Sequence, residues 1–294
     1  MVFPQNSPDA INLLKILRSP RDTVQSQMIL NDSGLVSPNG RNHPISDGII
    51  DMFCPELEPP DHSPRQDSEW ELWQELYAPL IANFTYSGGM LAGIMELGHA
   101  AAARHAPHPA KTVLEIGSGV NHHLLSYHRK YKVGQYINLD TNLSSLKMAR
   151  QTWQKIAPMP YTTHFVRGSC YNLPFHDGSI DHVVSIYVFE HLYYLKQAVA
   201  EMKRVLTENG TWCIVLPTEG GLAWSVGRRL TFSRSLKKRY GIDYDRIMGI
   251  EHCNTALQVA DVLETALIVT QTRYLPFLIP TVHINAVLLL EGTR

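Results

Sequence analysis

The segment VLEIGSGVN, residues 113–121, places Gly117 and Gly119 at a turn that reads as the passage from a strand into a helix. Glycine at such a turn lets backbone N–H groups approach a ligand with no Cβ in the way. Asp140 follows 21 residues after Gly119, at the end of the next predicted strand. A carboxylate there can accept hydrogen bonds from ribose hydroxyls. Nicotinamide and flavin sites share this pair of signals, and a tight turn with no ligand uses the same glycines. The two motifs together point to a nucleotide-bearing cofactor and leave its chemistry open.

The elements that must position these residues follow from the apolar pattern. TVLEIG (112–117), GQYINLD (134–140), THFVRG (163–168), IDHVVSIYVF (180–189) and TWCIVLP (211–217) read as buried strands. Helical periodicity separates them, clearest over 142–156 and 194–206. Such alternation predicts an α/β fold, a parallel sheet with helices on both faces. TALQVADVLETA reads as a further helix, and LIVTQTRYL and VHINAVLLLEG as two final strands. Upstream, Trp70, Trp73, Leu76, Tyr77 and Leu80 fall at helical spacing, and residues 86–105 form a second helical stretch rich in small residues. The stretch between Pro217 and His252 fits neither pattern and is expected to be a lid over the carboxyl edge of the sheet.

GSCYNLPFHDGSIDHVVSIYVFEHL resembles the core of the class I S-adenosylmethionine-dependent methyltransferases, particularly the broad small-molecule group. VLEIGSG, Asp140, LPFHDGSID and EHL occur in that family's order over residues 111–217, and RVLTENGTWCIVLP follows as its helix, turn and fifth strand. The resemblance implies a Rossmann-like seven-stranded sheet with the last strand antiparallel, and S-adenosyl-L-methionine across its carboxyl edge. It implies contacts of Glu115, Gly117 and Gly119 with the methionine portion and of Asp140 with the ribose. Ser169 and Cys170 would edge the adenine, and Tyr187 would line the pocket near the sulfonium. Two positions depart from the pattern: Asn121 replaces a third glycine, and Ser169 replaces the adenine-binding acid. Asn tolerates left-handed backbone, and a Ser hydroxyl still accepts a hydrogen bond from an amino group.

Methyl transfer needs a general base only when the nucleophile is protonated at neutral pH, as in a phenol or alcohol. His191, in the EHL segment, and His252, after the lid, are the candidates; His191 reads equally as a framework residue that orders its loop. His122 and His123, just past the glycine turn, are expected at solvent or at the cofactor's edge. The 14 histidines and four cysteines show no metal-ligand spacing, so no metal site is expected.

The organisation expected is an N-terminal region over 1–65, a helical cap or linker over 66–110, and a methyltransferase domain over 111–294 with its lid at 217–252. Residues 1–65 hold nine of the 18 prolines and eight acids against five bases. This region resembles the zinc-ribbon-like domain that accompanies many methyltransferases, with HPISDGIIDMF the best-matching stretch. Ser19, Asp22 and Ser37 stand where that domain has ligands, so the resemblance implies a shape kept without its metal, because serine is no zinc ligand at neutral pH. A proline-rich leader is the plainer alternative.

Charge narrows the partners. Lys and Arg number 26 against 27 acids, a formal net charge of −1, which speaks against binding nucleic acid by bulk charge. Arg228, Arg229, Arg234, Lys237, Lys238 and Arg239 concentrate in one strip with no acid between them. The strip reads either as a clamp for an anionic small-molecule acceptor or as a solvated helix face. With no basic, apolar leader and no uninterrupted spanning segment, a cytoplasmic protein without stable membrane insertion is expected. The function expected is methyl transfer by in-line displacement to a secondary metabolite, quinone-like ring or lipid-linked acceptor. An RNA base methyltransferase and a methyltransferase-like protein that does not methylate are the alternatives.

Overall fold

The computed structural model describes residues 12–22, 27–31, 34–60, 68–73, 75–76, 90–105, 110–156, 161–219, 221–222, 225–226 and 233–294. Three short strands open the chain as a small antiparallel sheet: β1 (Ile29–Asn31), β2 (Gly34–Val36) and β3 (Asn42–His43). Then come β4 (Ile45–Ser46), β5 (Ile49–Asp51) and helix α1 (Met90–Arg104). The alternating part follows with β6 (Ala110–Ile116), α2 (His122–Tyr127), β7 (Val133–Asp140), α3 (Leu143–Gln154), β8 (Thr162–Arg167), β9 (Ile180–Ile186), α4 (Leu195–Val205) and β10 (Leu206–Pro217). Helices α5 (Arg234–Tyr240), α6 (Tyr244–Glu251) and α7 (Ala256–Ala266) lead to β11 (Ile268–Leu275) and β12 (Val287–Thr293).

The large sheet has the order β11-β12-β10-β9-β6-β7-β8-β5-β4. Strands β6 to β10 run parallel, and β12 lies antiparallel between β10 and β11, as the resemblance implies. The strand order reverses between β6 and β9, which opens a crevice at their carboxyl ends. VHINAVLLLEG begins as a turn and becomes a strand only at Val287. Buried Asn285 holds that turn: its Oδ1 accepts from Phe277 N, and its Nδ2 donates to the carbonyls of Ile279 and Thr281.

The sheet has nine strands rather than seven, because the N-terminal region adds two. β5 pairs parallel with β8, Ile49 to Phe165 and Asp51 to Arg167, and Arg167 Nη1 donates to Asp51 Oδ2 at 3.0 Å. This covers the edge of β8, which would otherwise present unpaired N–H and C=O groups. Leu13, Leu17, Met28, Leu35 and Met52 share one buried cluster with Leu139, Val166 and Phe175. The N-terminal segment is therefore part of the main core rather than a module with its own. The positions compared with zinc ligands are buried here among polar partners: Ser19 Oγ lies 3.1 Å from His43 Nε2, and Asp22 faces Arg41 at 3.6 Å.

Helix α1 packs on β9, β10 and β12, and α3 on β7 and β8, while α4 and α7 pack together. Arg204 on α4 ties down the loop after β8, donating to the carbonyls of Leu173 and Phe175 and to Asp177. The far side of the core is aromatic, with Tyr131, Tyr136, Tyr161 and Trp153 around the base of β6 and β7. Glu115 is buried in this layer and accepts the Tyr136 hydroxyl at 2.8 Å.

Burial, with the negative charge of Asp140 adding to it, pushes the Glu115 carboxyl up to about 8 although the Tyr136 hydroxyl favours its charged form. Tyr131 and Tyr161 also face it, and burial keeps both phenols protonated. Between the ordinary 4.5 and about 8 the folded chain holds a proton that the unfolded chain has lost. Stability is therefore expected to fall as pH rises through that window, by at most about 1.4 kcal/mol per pH unit from this group. Glu115→Gln should gain on the natural protein steadily from pH 5 to pH 8 in urea midpoints; a pH-independent difference would show an ionised Glu115.

Candidate functional site

Strand β6 stops at Ile116, and the chain turns under the control of β7: the N–H groups of Gly117 and Ser118 both donate to Leu139 O, at 2.8 and 3.0 Å. Gly117 (φ 71°) and Gly119 (φ 51°) take left-handed backbone, and so does Asn121 (φ 64°) as it caps α2. Asn121, which stands where the family pattern has glycine, thus adopts the conformation glycine would have taken. Space is open over Gly119, whereas a Cβ on Gly117 would fall 2.4 Å from Val188 Cγ2. Gly117 is needed for close approach of the turn after β9; Gly119 keeps the ligand side clear.

Asp140 ends β7 at this turn. Its Oδ2 accepts from Gly119 N at 2.7 Å and its Oδ1 from Asn142 N at 2.8 Å. A carboxylate has about four acceptor sites, so Asp140 keeps capacity to accept from a hydroxyl. Burial raises the Asp140 carboxyl above its ordinary range, against these backbone bonds. Two groups of the turn have no partner although buried: the Ser118 hydroxyl and the amide of Asn121, a residue with 0% exposure. Buried polar atoms without partners cost about 1–3 kcal/mol each, and a polar ligand over the turn would relieve it. A cofactor with a charged amino-acid head and a ribose diol suits this donor set.

The other residues expected at the cofactor divide. Glu115 lies beneath the turn, committed to Tyr136. Ser169 is buried and its Oγ accepts from Tyr171 N at 3.1 Å, while burial pushes the Cys170 thiol up to about 12. Tyr187 sits at the end of β9 with φ 59°, but its hydroxyl reaches Ile94 O and Met95 O on α1, both at 3.3 Å. Gly98 of α1 admits it, since a Cβ there would fall 2.1 Å from that hydroxyl. Tyr187 therefore anchors α1, and only its ring is left for the pocket. His123 is buried rather than at solvent, bonded to Tyr131 at 2.6 Å and pushed by burial down to about 3.

One carboxylate beside Ser169 was not anticipated. Glu58, in the N-terminal segment, lies beside Ser169, and its Oε1 is buried without a partner. Burial raises its carboxyl above the ordinary range, with Ser169 pulling the other way. Asn172 Nδ2 fixes the neighbouring backbone by donating to Leu57 O at 2.8 Å. Sequence pattern gave no sign of this, because the acid lies in another part of the chain from the loop it completes.

The turn after β9 carries the second cluster, at the carboxyl ends of β9 and β10. The rings of His191 and His252 meet edge to face with centroids 4.6 Å apart. His191 Nδ1 lies 3.0 Å from Glu251 O, which only accepts, so Nδ1 carries the proton and Nε2 bears a lone pair. His252 Nδ1 bonds Glu219 Oε1 at 2.7 Å. Glu190, 1% exposed, places Oε1 3.9 Å from His191 Nε2, and its Oε2 is buried without a partner. The segment around His252 is stitched to this turn: Asn254 N and Cys253 Sγ donate to Glu190 O, and Tyr193 donates to Ile250 O. Burial and His252 push His191 down to about 3, which makes it a poor base. Burial would lower His252 too, yet the Glu219 bond and nearby carboxylates carry it above the ordinary imidazole value.

Above this edge, α5 and α6 pack on Trp70, Leu72, Trp73 and Leu76. Trp73, Leu236, Ile242, Ile247 and Met248 form their own buried cluster, and Trp73 Nε1 donates to Glu251 Oε1 at 2.7 Å. Leu236 turns inward, so Arg234, Lys237, Lys238 and Arg239 are left exposed on α5. Among the described bases of the strip, this is a solvated helix face; Arg228 and Arg229 lie outside the described residues. No helix among the described residues is long and apolar enough to cross a membrane.

Residues 114–214 match a family of methyltransferase domains. A demethylmenaquinone methyltransferase of Deinococcus radiodurans is 26% identical over 159 residues, 53% of this chain and 65% of its own length. The methyltransferase YcgJ of Bacillus subtilis is 29% identical over 103 residues, 35% of this chain and 39% of its own. The chain thus matches less than two thirds of the length of these relatives. The crystal structure of the cyclase SpnF superposes with a TM-score of 0.51 at 12% identity, over 68% of this chain and 80% of that one, a likeness of fold. The matched stretch, less than half of the chain, holds the glycine turn and Asp140; with the reversed strand order and the antiparallel last strand it makes the chain similar to the class I S-adenosylmethionine-dependent methyltransferases.

Proposed function

We propose that the chain transfers the methyl group of S-adenosyl-L-methionine to a small-molecule acceptor. The observation that carries this reading is the pair of orphaned buried groups, Ser118 Oγ and Asn121, beside an Asp140 carboxylate already braced by Gly119 N. Bound cofactor supplies the sulfonium methyl, so the protein's work is to align nucleophile, methyl carbon and leaving sulfur in a dry pocket. The new bond to the acceptor forms as the S–CH3 bond breaks, and the electron pair stays on the thioether sulfur. Gly117, Ser118 and Asn121 hold the amino-acid head, and Asp140 the ribose hydroxyls. Ser169 and Cys170 edge the adenine, and Glu58 takes the place of the missing acid there, accepting from the adenine amino group. His191 and His252 form the polar wall on the acceptor side, under the apolar cover built around Trp73.

A ring acceptor is favoured by two observations. The cover is aromatic and aliphatic, which suits a medium-sized, partly hydrophobic molecule. The Deinococcus relative is named for demethylmenaquinone. The net charge of −1 speaks against RNA. The exposed strip leaves an anionic acceptor to be supported by Arg228 and Arg229 alone.

Asp140→Ala should weaken cofactor binding by tenfold or more in calorimetry, since a bidentate charged contact is lost. Glu58→Gln should cost S-adenosylmethionine several-fold while leaving S-adenosylmethionine analogues without the adenine amino group almost unaffected; equal losses for both would place Glu58 outside the adenine contact. Transfer of labelled methyl groups to fractions of a small-molecule extract, followed by mass spectrometry, identifies the acceptor class. Label recovered in RNA and absent from the small-molecule fraction would overturn the acceptor proposed.

A further inference from the structure

Glu190, His191 and His252 present one ligand atom each within 4.8 Å of one another, the group among the described residues able to hold a metal ion. Their spacing in the sequence gives no hint of it, which is why no metal was expected. Four features make this more than a cluster of polar side chains. His191 has Nδ1 committed to Glu251 O, and His252 has Nδ1 committed to Glu219 Oε1, so both rings turn Nε2 to the shared space. Metal-bound imidazoles almost always have their second nitrogen held by a carbonyl or carboxylate in this way. Glu190 Oε2 is buried and has no partner, on a residue 1% exposed. The backbones that carry the three residues are fixed to each other through Asn254 N, Asn254 Nδ2 and Cys253 Sγ, so the group is built in advance rather than assembled from mobile chains.

We propose that Glu190, His191 and His252 bind a divalent transition-metal ion. Two imidazoles with one carboxylate suit zinc, manganese, iron or cobalt, whereas calcium and magnesium prefer all-oxygen sites. Bonds of about 2.0–2.1 Å require the ligand atoms, which now lie within 4.8 Å of one another, to draw together by on the order of 1 Å. Three protein ligands leave a position open, and a third of the His191 side chain is still accessible. That position suits an oxygen of the acceptor, such as a hydroxyl next to the atom to be methylated. This last step rests on the methyltransferase reading; the metal site itself does not.

The test uses tag-free full-length protein stripped with chelator and titrated with Co²⁺, followed by visible absorption, then with Zn²⁺ in calorimetry. The expected result is saturable binding of one ion per chain, with d–d bands of a four- or five-coordinate site. His252→Gln should weaken binding at least tenfold with little change in metal-free melting, and Glu190→Gln should do the same if it folds. His252→Gln decides the matter alone if it does not. Absence of saturable binding, or binding unchanged by His252→Gln, overturns the proposal. S-adenosylmethionine affinity measured on the same preparation separates the two readings: cofactor binding without metal sinks only the metal site, and metal binding without cofactor sinks only the methyltransferase assignment.

Discussion

Two turns of backbone have to touch for this site to exist, and Gly117 is where they do. The side chain of Val188 occupies the space a Cβ would need, 2.4 Å away, and Gly117 holds left-handed backbone, so any other residue at position 117 would strain the turn and push Val188 aside. One turn carries Ser118, Gly119 and Asn121; the other carries Glu190 and His191. Their contact puts the glycine turn and the histidine pair within one crevice at the reversal of strand order. Asp140 then completes the cofactor side through Gly119 N, and Leu139 O holds both N–H groups at the start of the turn.

The halves of the site differ in how their residues are brought together. The cofactor half is local: glycines, Asn121 and Asp140 fall at strand ends, and a strand end has a fixed place in a parallel sheet. The backbone of the glycine turn was legible, down to the left-handed Asn121, because it is dictated by the turn's own residues. The alternation of strands and helices was legible as well, since each announces its period, whereas the antiparallel last strand came only from the family resemblance. Tyr187 shows the limit of such reading. Its position at the end of β9 was right, yet its hydroxyl is consumed by α1 through the gap at Gly98, a long-range contact that no local pattern encodes.

Glu58 and the pair of His191 with His252 lie beyond that limit too. Each depends on segments far apart in the chain meeting over the sheet edge, and single residues such as Glu58 or Glu219 have no neighbours that mark them. The N-terminal region was harder still. β4 and β5 are two and three residues long, too short for periodicity, and their pairing with β8 is decided by the need to cover an edge. Once β5 is in register, Ile49 and Ile50 enter the core, and the following chain brings Glu58 to Ser169. An extension of the sheet thus delivers a polar group that the loop after β8 lacks.

Glu251 links the cover to the chemistry beneath it. Its carboxylate takes the Trp73 indole N–H, and its carbonyl takes His191 Nδ1. A displacement of α6 therefore acts on both contacts at once: the apolar cover loses its polar anchor, and His191 loses the bond that fixes its tautomer. Tyr193, donating to Ile250 O one residue earlier, resists that displacement from below. Orientation of the imidazole wall and closure of the cover are consequently one structural variable rather than two. The apolar cover around Trp73 and the orientation of the His191 imidazole are thus coupled through a single residue, Glu251.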